Sequence, residues 1–295
     1  MLPRWARWAM CGIAGIVSRG TNIVPILIKM LKNLEYRGYD SCGFAVISSG
    51  SIEVRKSSGK IDHVVSSKNV HNLVGSIGIA HTRWATHGAV TDTNAHPHTD
   101  CLGRIAVVHN GIIDNFLELR ARLEGSGHRF RSDTDTEVIP HLVEEYLRET
   151  GNTLEAIKRA VRELRGTYAF VLLSLHEPER LFFAKNGQPL IIGISDSTMY
   201  LASDIPAFLE WTNKAIVLRD GDVGYIWIHG WHIENITDSS LNQPKITTIP
   251  WSPEQARKGG YPHFMLKEIY EQPDAIQRLS LIHISEPTRP RLISY

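Results

Sequence analysis

The sequence predicts a layered α+β fold. Short runs rich in Val, Ile, Phe and Tyr recur along most of the chain and read as strands, several buried on both faces. Four segments instead carry apolar residues at helical spacing. Helices and strands cluster without strict alternation, which disfavours a doubly wound parallel sheet.

The strand-like runs include Gly43–Ile47, Ile105–His109, Tyr168–Leu175, Leu181–Ala184, Leu190–Ile194, Ala215–Leu218 and Val223–Ile228. The first helix pattern, Val24–Leu34, places Ile26, Leu27, Met30, Leu31 and Leu34 on one face. The second, Phe116–Leu123, follows a candidate N-cap at Asn115 and stops at Gly125. Thr134-Asp135-Thr136-Glu137 has capping-box spacing and precedes Val138, Ile139, Leu142, Val143 and Tyr146. Pro140 lies beyond the first turn of a helix begun there and should kink it. Thr153–Arg165 ends at Gly166. After about Trp231 the composition turns polar, and Asn235–Gly260 reads as a linker. Tyr261–Ile276 resumes a pattern, with Phe264, Met265 and Ile269 spaced as on a helix.

Bulk properties exclude several classes of function. The 295 residues suffice for a full core. Lys and Arg total 32 against 31 Asp and Glu, so neither a nucleic-acid nor a membrane surface is indicated. No apolar run reaches the ~18 residues of a membrane span. Three cysteines, Cys11, Cys42 and Cys101, form an odd, sparse set that suits a reducing, cytoplasmic setting.

Chemistry enters at Met10-Cys11-Gly12-Ile13-Ala14-Gly15-Ile16. With Met10 as the start and then removed, Cys11 carries both a thiol nucleophile and an α-amino base. An unperturbed α-amine titrates at about 7.7–8.0, where a general base is most useful. A peptide-bonded nitrogen is no base, so residues 1–10 must be a removable extension or follow a mis-assigned start.

Four further stretches are dense in polar groups: Tyr36-Arg37-Gly38-Tyr39-Asp40-Ser41, His81-Thr82-Arg83-Trp84-Ala85-Thr86-His87-Gly88, Asn94-Ala95-His96-Pro97-His98 and His109-Asn110-Gly111-Ile112. A plain core would not carry so many without partners. Taken singly, each has an ordinary reading: Cys11 as a structural thiol, Arg83 with Asp135 as an ion pair, Asn110-Gly111 as a turn, Asp135 as a helix cap. His96-Pro97-His98 lacks metal-ligand spacing, since extended neighbours face opposite ways, and no metal is expected.

Together with Cys11-Gly12-Ile13 and Thr134–Glu137, these motifs resemble the class II, N-terminal-nucleophile glutamine amidotransferases. Within them the chain most resembles the glutaminase half of the glutamine–fructose-6-phosphate aminotransferases, over about Cys11 to Ile276. Phe264-Met265-Leu266-Lys267-Glu268-Ile269-Tyr270-Glu271-Gln272-Pro273 resembles the opening of that family's sugar-isomerase half. The resemblance implies a four-layer αββα sandwich with two antiparallel sheets. It implies that Cys11 attacks the side-chain amide of glutamine, with Asn110 and the Gly111 N–H stabilising the oxyanion. Arg83 would take the glutamine carboxylate and Asp135 its ammonium. Trp84, Thr86 and His87 would line or close the pocket, with Arg37 and Gly38 near the nucleophile. No cofactor is needed. The full-length parent would also use fructose 6-phosphate and form a homodimer.

The organisation expected is an extension at 1–10, a glutaminase domain at 11–234, a linker at 235–260 and the start of a truncated isomerase domain at 261–278. Residues 279–295, with Leu281-Ile282-His283-Ile284-Ser285-Glu286-Pro287, resemble translated adapter sequence and are read as foreign. Two rival functions stand beside this one. One is a class II amidotransferase forming phosphoribosylamine, asparagine or glutamate. The other is a silent glutamine-binding module blocked by residues 1–10.

Overall fold

In chain order the elements are β1 (Gly12–Ser18), α1 (Val24–Lys32), β2 (Ser41–Ser48), β3 (Ser51–Ser58), α2 (Ile61–Ser67) and β4 (Ile77–Arg83). Then come β5 (His98–Thr99), β6 (Ile105–Ile113), α3 (Phe116–Gly125), α4 (Val138–Thr150), α5 (Thr153–Glu163), β7 (Gly166–Ser174) and β8 (Leu181–Asn186). The chain continues through β9 (Ile191–Ile194), β10 (Thr198–Ala202), β11 (Lys214–Val217), β12 (Asp222–Trp227), β13 (Gly230–Asn235), β14 (Thr247–Thr248) and α6 (Phe264–Ser285). The computed structural model describes residues 11–84, 89–237, 244–250, 261 and 264–285.

The strands form two antiparallel sheets. One has eight strands in the order β14-β11-β9-β10-β1-β4-β2-β3; the other has six, in the order β13-β12-β8-β7-β6-β5. Period-two geometry explains why β6 and β7 read as continuous apolar runs. Ala106, Val108, Ala169, Val171 and Leu173 join Ile13, Ala45 and Ile79 of the larger sheet in a core between the sheets. Their alternates Ile105, Val107, Tyr168, Phe170 and Leu172 face a second core with Leu119, Leu123, Val138, Leu142 and Ile157 from α3, α4 and α5. Helix α1 buries Leu27, Met30 and Leu31 and packs on β1 and β4 of the larger sheet. The layers are therefore helix, sheet, sheet, helix.

Strand β1 escapes the run of apolar strand signals because two glycines interrupt it, and packing explains both. A Cβ on Gly12 would lie 2.8 Å from a Thr82 methyl, and one on Gly15 2.8 Å from a Leu181 methyl across the sheets. β3, β4, β5, β10 and β13 also lie outside the runs named from the sequence.

Three local expectations are corrected. Asn115 does not cap α3: its Oδ1 accepts the Arg165 N–H (2.9 Å) and its Nδ2 donates to the Glu163 carbonyl (3.0 Å). That satisfies an orphan carbonyl at the end of α5 instead. The capping box does not form either. Glu137 accepts the backbone N–H groups of Arg131 (2.8 Å) and Ser132 (2.6 Å), while the Thr134 hydroxyl meets His98 Nε2 at 3.1 Å. Ser132 is buried, so its N–H would be costly to leave unpaired. Pro140 breaks no hydrogen bond, because a 3-10 turn at Asp135–Glu137 comes first and α4 begins at Val138. Pro140 then falls in the first turn, where no intrahelical partner for its nitrogen is required.

The chain divides into two compact units after Pro250. Within the first, the polar segment read as a linker contributes β14, whose Thr247 and Thr248 pair with Ala215 and Lys214. The second contains α6, which covers the patterned segment and runs on to Ser285. Among the described residues no helix is long and apolar enough to cross a membrane.

Candidate active site

Cys11 sits at the head of β1, in the centre of the larger sheet. Pairing of Gly12 with Thr82 brings it beside the end of β4. There the Trp84 N–H donates to Cys11 Sγ at 3.2 Å. The Cys11 carbonyl is held from two sides, by Arg37 Nε at 3.0 Å and Asn110 Nδ2 at 2.9 Å. Thus Trp84, Arg37 and Asn110, drawn from three separate motifs, converge on Cys11.

Each partner is fixed from behind. Arg37 is buried and pairs with Asp204 at 3.0 Å, which also accepts the Tyr36 hydroxyl at 2.6 Å. Gly38 has no room for a side chain: a Cβ there would lie 2.7 Å from the Arg83 carbonyl carbon and 2.9 Å from the Trp84 nitrogen. Its carbonyl takes the Thr82 hydroxyl at 2.5 Å, which docks the Arg37 loop against the end of β4. Asn110 Oδ1 meets His81 Nε2 at 3.0 Å. Because Asn110 donates to Cys11, its oxygen must accept, so His81 carries its proton on Nε2. Burial lowers the His81 pKa to about 3, so the ring stays neutral in this role.

Gly111 follows with φ of +125°, a conformation that L side chains rarely adopt. A Cβ there would also come within 2.0 Å of the Thr167 carbonyl oxygen. Behind β6 lies a layer of buried histidines. His81 stacks on His96 at 4.1 Å, and His109 Nδ1 and His96 Nε2 share the Thr136 hydroxyl at 2.8 and 3.3 Å. Their partners are neutral, which fits the His96-Pro97-His98 motif as packing.

Asp135 is buried, and its Oδ2 accepts the Ile113 N–H at 2.8 Å. It therefore anchors to β6 and does not cap the helix it opens. Arg83 is buried at the end of β4. Both charges reach the nucleophile. Burial pushes the Cys11 thiol above its ordinary pKa; the Trp84 N–H, Arg83 and Arg37 oppose that rise, and Asp135 adds to it. The resting sulfur is thus a thiol, and a base must remove its proton.

The structure brings together Cys11, Asn110, Gly111, Arg83, Trp84, Asp135, Arg37 and Gly38. Thr86 and His87, and the extension at 1–10, lie outside the described residues. Sequence reasoning missed Asp204 and His81 as supports. It also missed a second grouping away from these residues, Cys101, His128, His141 and Glu144, whose donor atoms lie within 4.8 Å of one another. His141 and Glu144 share an i,i+3 helical spacing, a signal available in the sequence.

The fold and site define a glutamine amidotransferase domain of the N-terminal-nucleophile type. The family profile described as glutamine amidotransferase domain matches residues 81–210. A solved structure of glutamine phosphoribosylpyrophosphate amidotransferase from B. subtilis is similar, with a TM-score of 0.67 and 26% identity, covering 79% of this chain and 50% of that one. The chain is similar to the glutaminase part of the glutamine–fructose-6-phosphate aminotransferases (isomerizing). It is 53% identical to the Pyrococcus horikoshii protein over 91% of this chain, and 49% identical to the Aquifex aeolicus protein over 90%. Those matches cover 45% and 44% of the two relatives, so the chain spans less than half their length.

Proposed function

We propose that this domain hydrolyses glutamine to glutamate and ammonia, with Cys11 as nucleophile. The observation that carries the reading is the convergence on Cys11 of the Trp84 N–H and the Asn110 amide, with the charges of Arg83 and Asp135 close enough to act on its thiol.

Cys11 Sγ attacks the amide carbon, and the α-amine of Cys11 takes the thiol proton. The tetrahedral intermediate collapses to a γ-glutamyl thioester as that proton returns to the departing ammonia. Water then cleaves the thioester, releasing glutamate and restoring the thiol. An amide nitrogen has two N–H donors. Asn110 spends one on the Cys11 carbonyl and offers the other, with the Gly111 N–H, to the oxyanion. Arg83 matches the glutamine carboxylate and Asp135 its ammonium. Trp84, which is 41% exposed, lines the pocket.

This mechanism needs an unblocked amine on Cys11, hence a mature form that begins there. Residues 11–234 then form the glutaminase domain and 261–278 open the isomerase part. In a parent of the relatives' length, the ammonia would go to fructose 6-phosphate, in a cytoplasmic homodimer. The higher identity to aminotransferases than to the phosphoribosylpyrophosphate enzyme supports this acceptor.

The test is Cys11→Ala in a chain whose mature N-terminus has been sequenced. Glutaminase turnover should fall below detection while the circular dichroism spectrum stays unchanged. Retained turnover, or full activity in a chain still carrying residues 1–10, would overturn the mechanism.

A further inference from the structure

We propose that Cys101, His128, His141 and Glu144 form a closed, four-coordinate structural zinc site. Cys101 lies between β5 and β6, His128 between α3 and α4, and the other two on one face of α4.

The spacing of donor atoms carries the proposal. Cys101 Sγ is 3.6 Å from His128 Nδ1 and 3.5 Å from His141 Nδ1. Glu144 Oε2 is 3.1 Å from His128 Nδ1 and 3.5 Å from His141 Nδ1. A tetrahedral ion with Zn–S of about 2.3 Å and Zn–N or Zn–O of about 2.0–2.1 Å requires separations of roughly 3.3–3.6 Å between its donors. Four of the six edges are already close to those lengths, and all four donor atoms lie within 4.8 Å of one another. Thiolate and imidazole donors with one carboxylate suit zinc and disfavour magnesium or calcium.

The surroundings fit as well. His128, His141 and Glu144 are buried, so four protein donors leave no open position, as in structural sites. Zn²⁺ with one thiolate, one carboxylate and two neutral imidazoles has no net charge, which removes most of the cost of burying it. On binding, the Cys101 thiol proton leaves to solvent. The far nitrogens of both rings face carboxylates: His128 Nε2 is 3.6 Å from Glu145 and His141 Nε2 is 3.7 Å from Glu137. His141 Nε2 is buried without a hydrogen-bond partner, and metal on Nδ1 would place its proton there, aimed at Glu137. Arg148 pairs with the other Glu144 oxygen and orients the carboxylate. The ion would tie the β5–β6 turn and the α3–α4 loop to the helix that follows Asp135.

The test uses the full chain without a histidine tag, in a Cys11→Ala background that removes the competing thiol. Elemental analysis should find one zinc per chain. After chelation, added zinc should raise the melting temperature, and cobalt should give a sulfur-to-metal charge-transfer band. Cys101→Ser should lose the band, and both Cys101→Ser and Glu144→Gln should lose stoichiometric zinc. A chelated chain whose melting does not respond to zinc and whose cobalt spectrum lacks the band would overturn the site. So would zinc content unchanged in folded Cys101→Ser. If that variant does not fold, the unsubstituted Cys101 measurements and Glu144→Gln decide.

Discussion

Cys11 and Cys101 each sit among charged and polar side chains, yet the two regions are built on opposite principles. Around Cys101 the donor groups turn toward one another, four of their pairs at 3.1–3.6 Å and all within 4.8 Å. Around Cys11 the groups hold the backbone and one side of the sulfur, while Arg83 and Asp135 act on it with opposite signs. The first arrangement can complete the coordination of an ion. The second presents charges of both signs beside a nucleophile, which is what a zwitterionic amide substrate requires. A cysteine's neighbours by type are therefore a poor guide to its role; where their donor atoms point decides it.

The largest effect that would break this contrast comes from Asn110. If its amide serves the oxyanion, Asn110→Ala should lower kcat for glutamine hydrolysis about 10²–10³-fold, or ~2.7–4 kcal/mol, with KM little changed. Equal losses in kcat and in folding stability would make Asn110 a strut between His81 and Cys11. A smaller effect tests Asp135. Asp135→Asn removes a charged partner of the substrate ammonium, worth about 1.5–3 kcal/mol, so KM should rise about 10–150-fold with a lesser change in kcat. An unchanged KM with a lower melting temperature would reduce Asp135 to the anchor of Ile113.

What the sequence made legible follows from distance along the chain. β6 and β7 are read from local apolar runs, and their two-faced burial matches. The motifs around Cys11 are legible because each is a compact cluster of polar groups beside a strand, and several such clusters occur in order. The cap at Asn115 and the capping box mislead because local spacing says nothing of Glu163 or Arg131, which compete for those side chains. The Cys101 grouping stays hidden because its donors come from three segments, and only His141 and Glu144 share a periodic relation. Asp204 is invisible for the same reason: it lies 167 residues from Arg37.

The smallest effect concerns the histidines that back the Cys11 region. His81, His96 and His98 are buried beside one another, and their other charged neighbours include Arg83, Lys56 and Glu137. Burial lowers the His81 pKa to about 3 and holds His96 and His98 well below the ordinary value. The unfolded chain takes up these protons near pH 6.5, whereas the folded chain resists until far lower pH. Stability from this source is thus complete above about pH 6.5 and is lost as pH falls toward the folded values. Between pH 7 and pH 6 the loss is about 0.7 kcal/mol per histidine, set almost wholly by the unfolded pKa. Denaturant titrations with chelator present, so that metal at Cys101 does not contribute, should show a drop of at least about 2 kcal/mol, the share of these three, to which His109 and His128 add. His98→Gln should shrink that drop by about 0.7 kcal/mol, because glutamine has no proton to gain. An unaltered drop in His98→Gln would mean that the acid sensitivity arises elsewhere. His109, which shares the Thr136 hydroxyl with His96 and which burial also holds below its ordinary pKa, would then be the next to substitute.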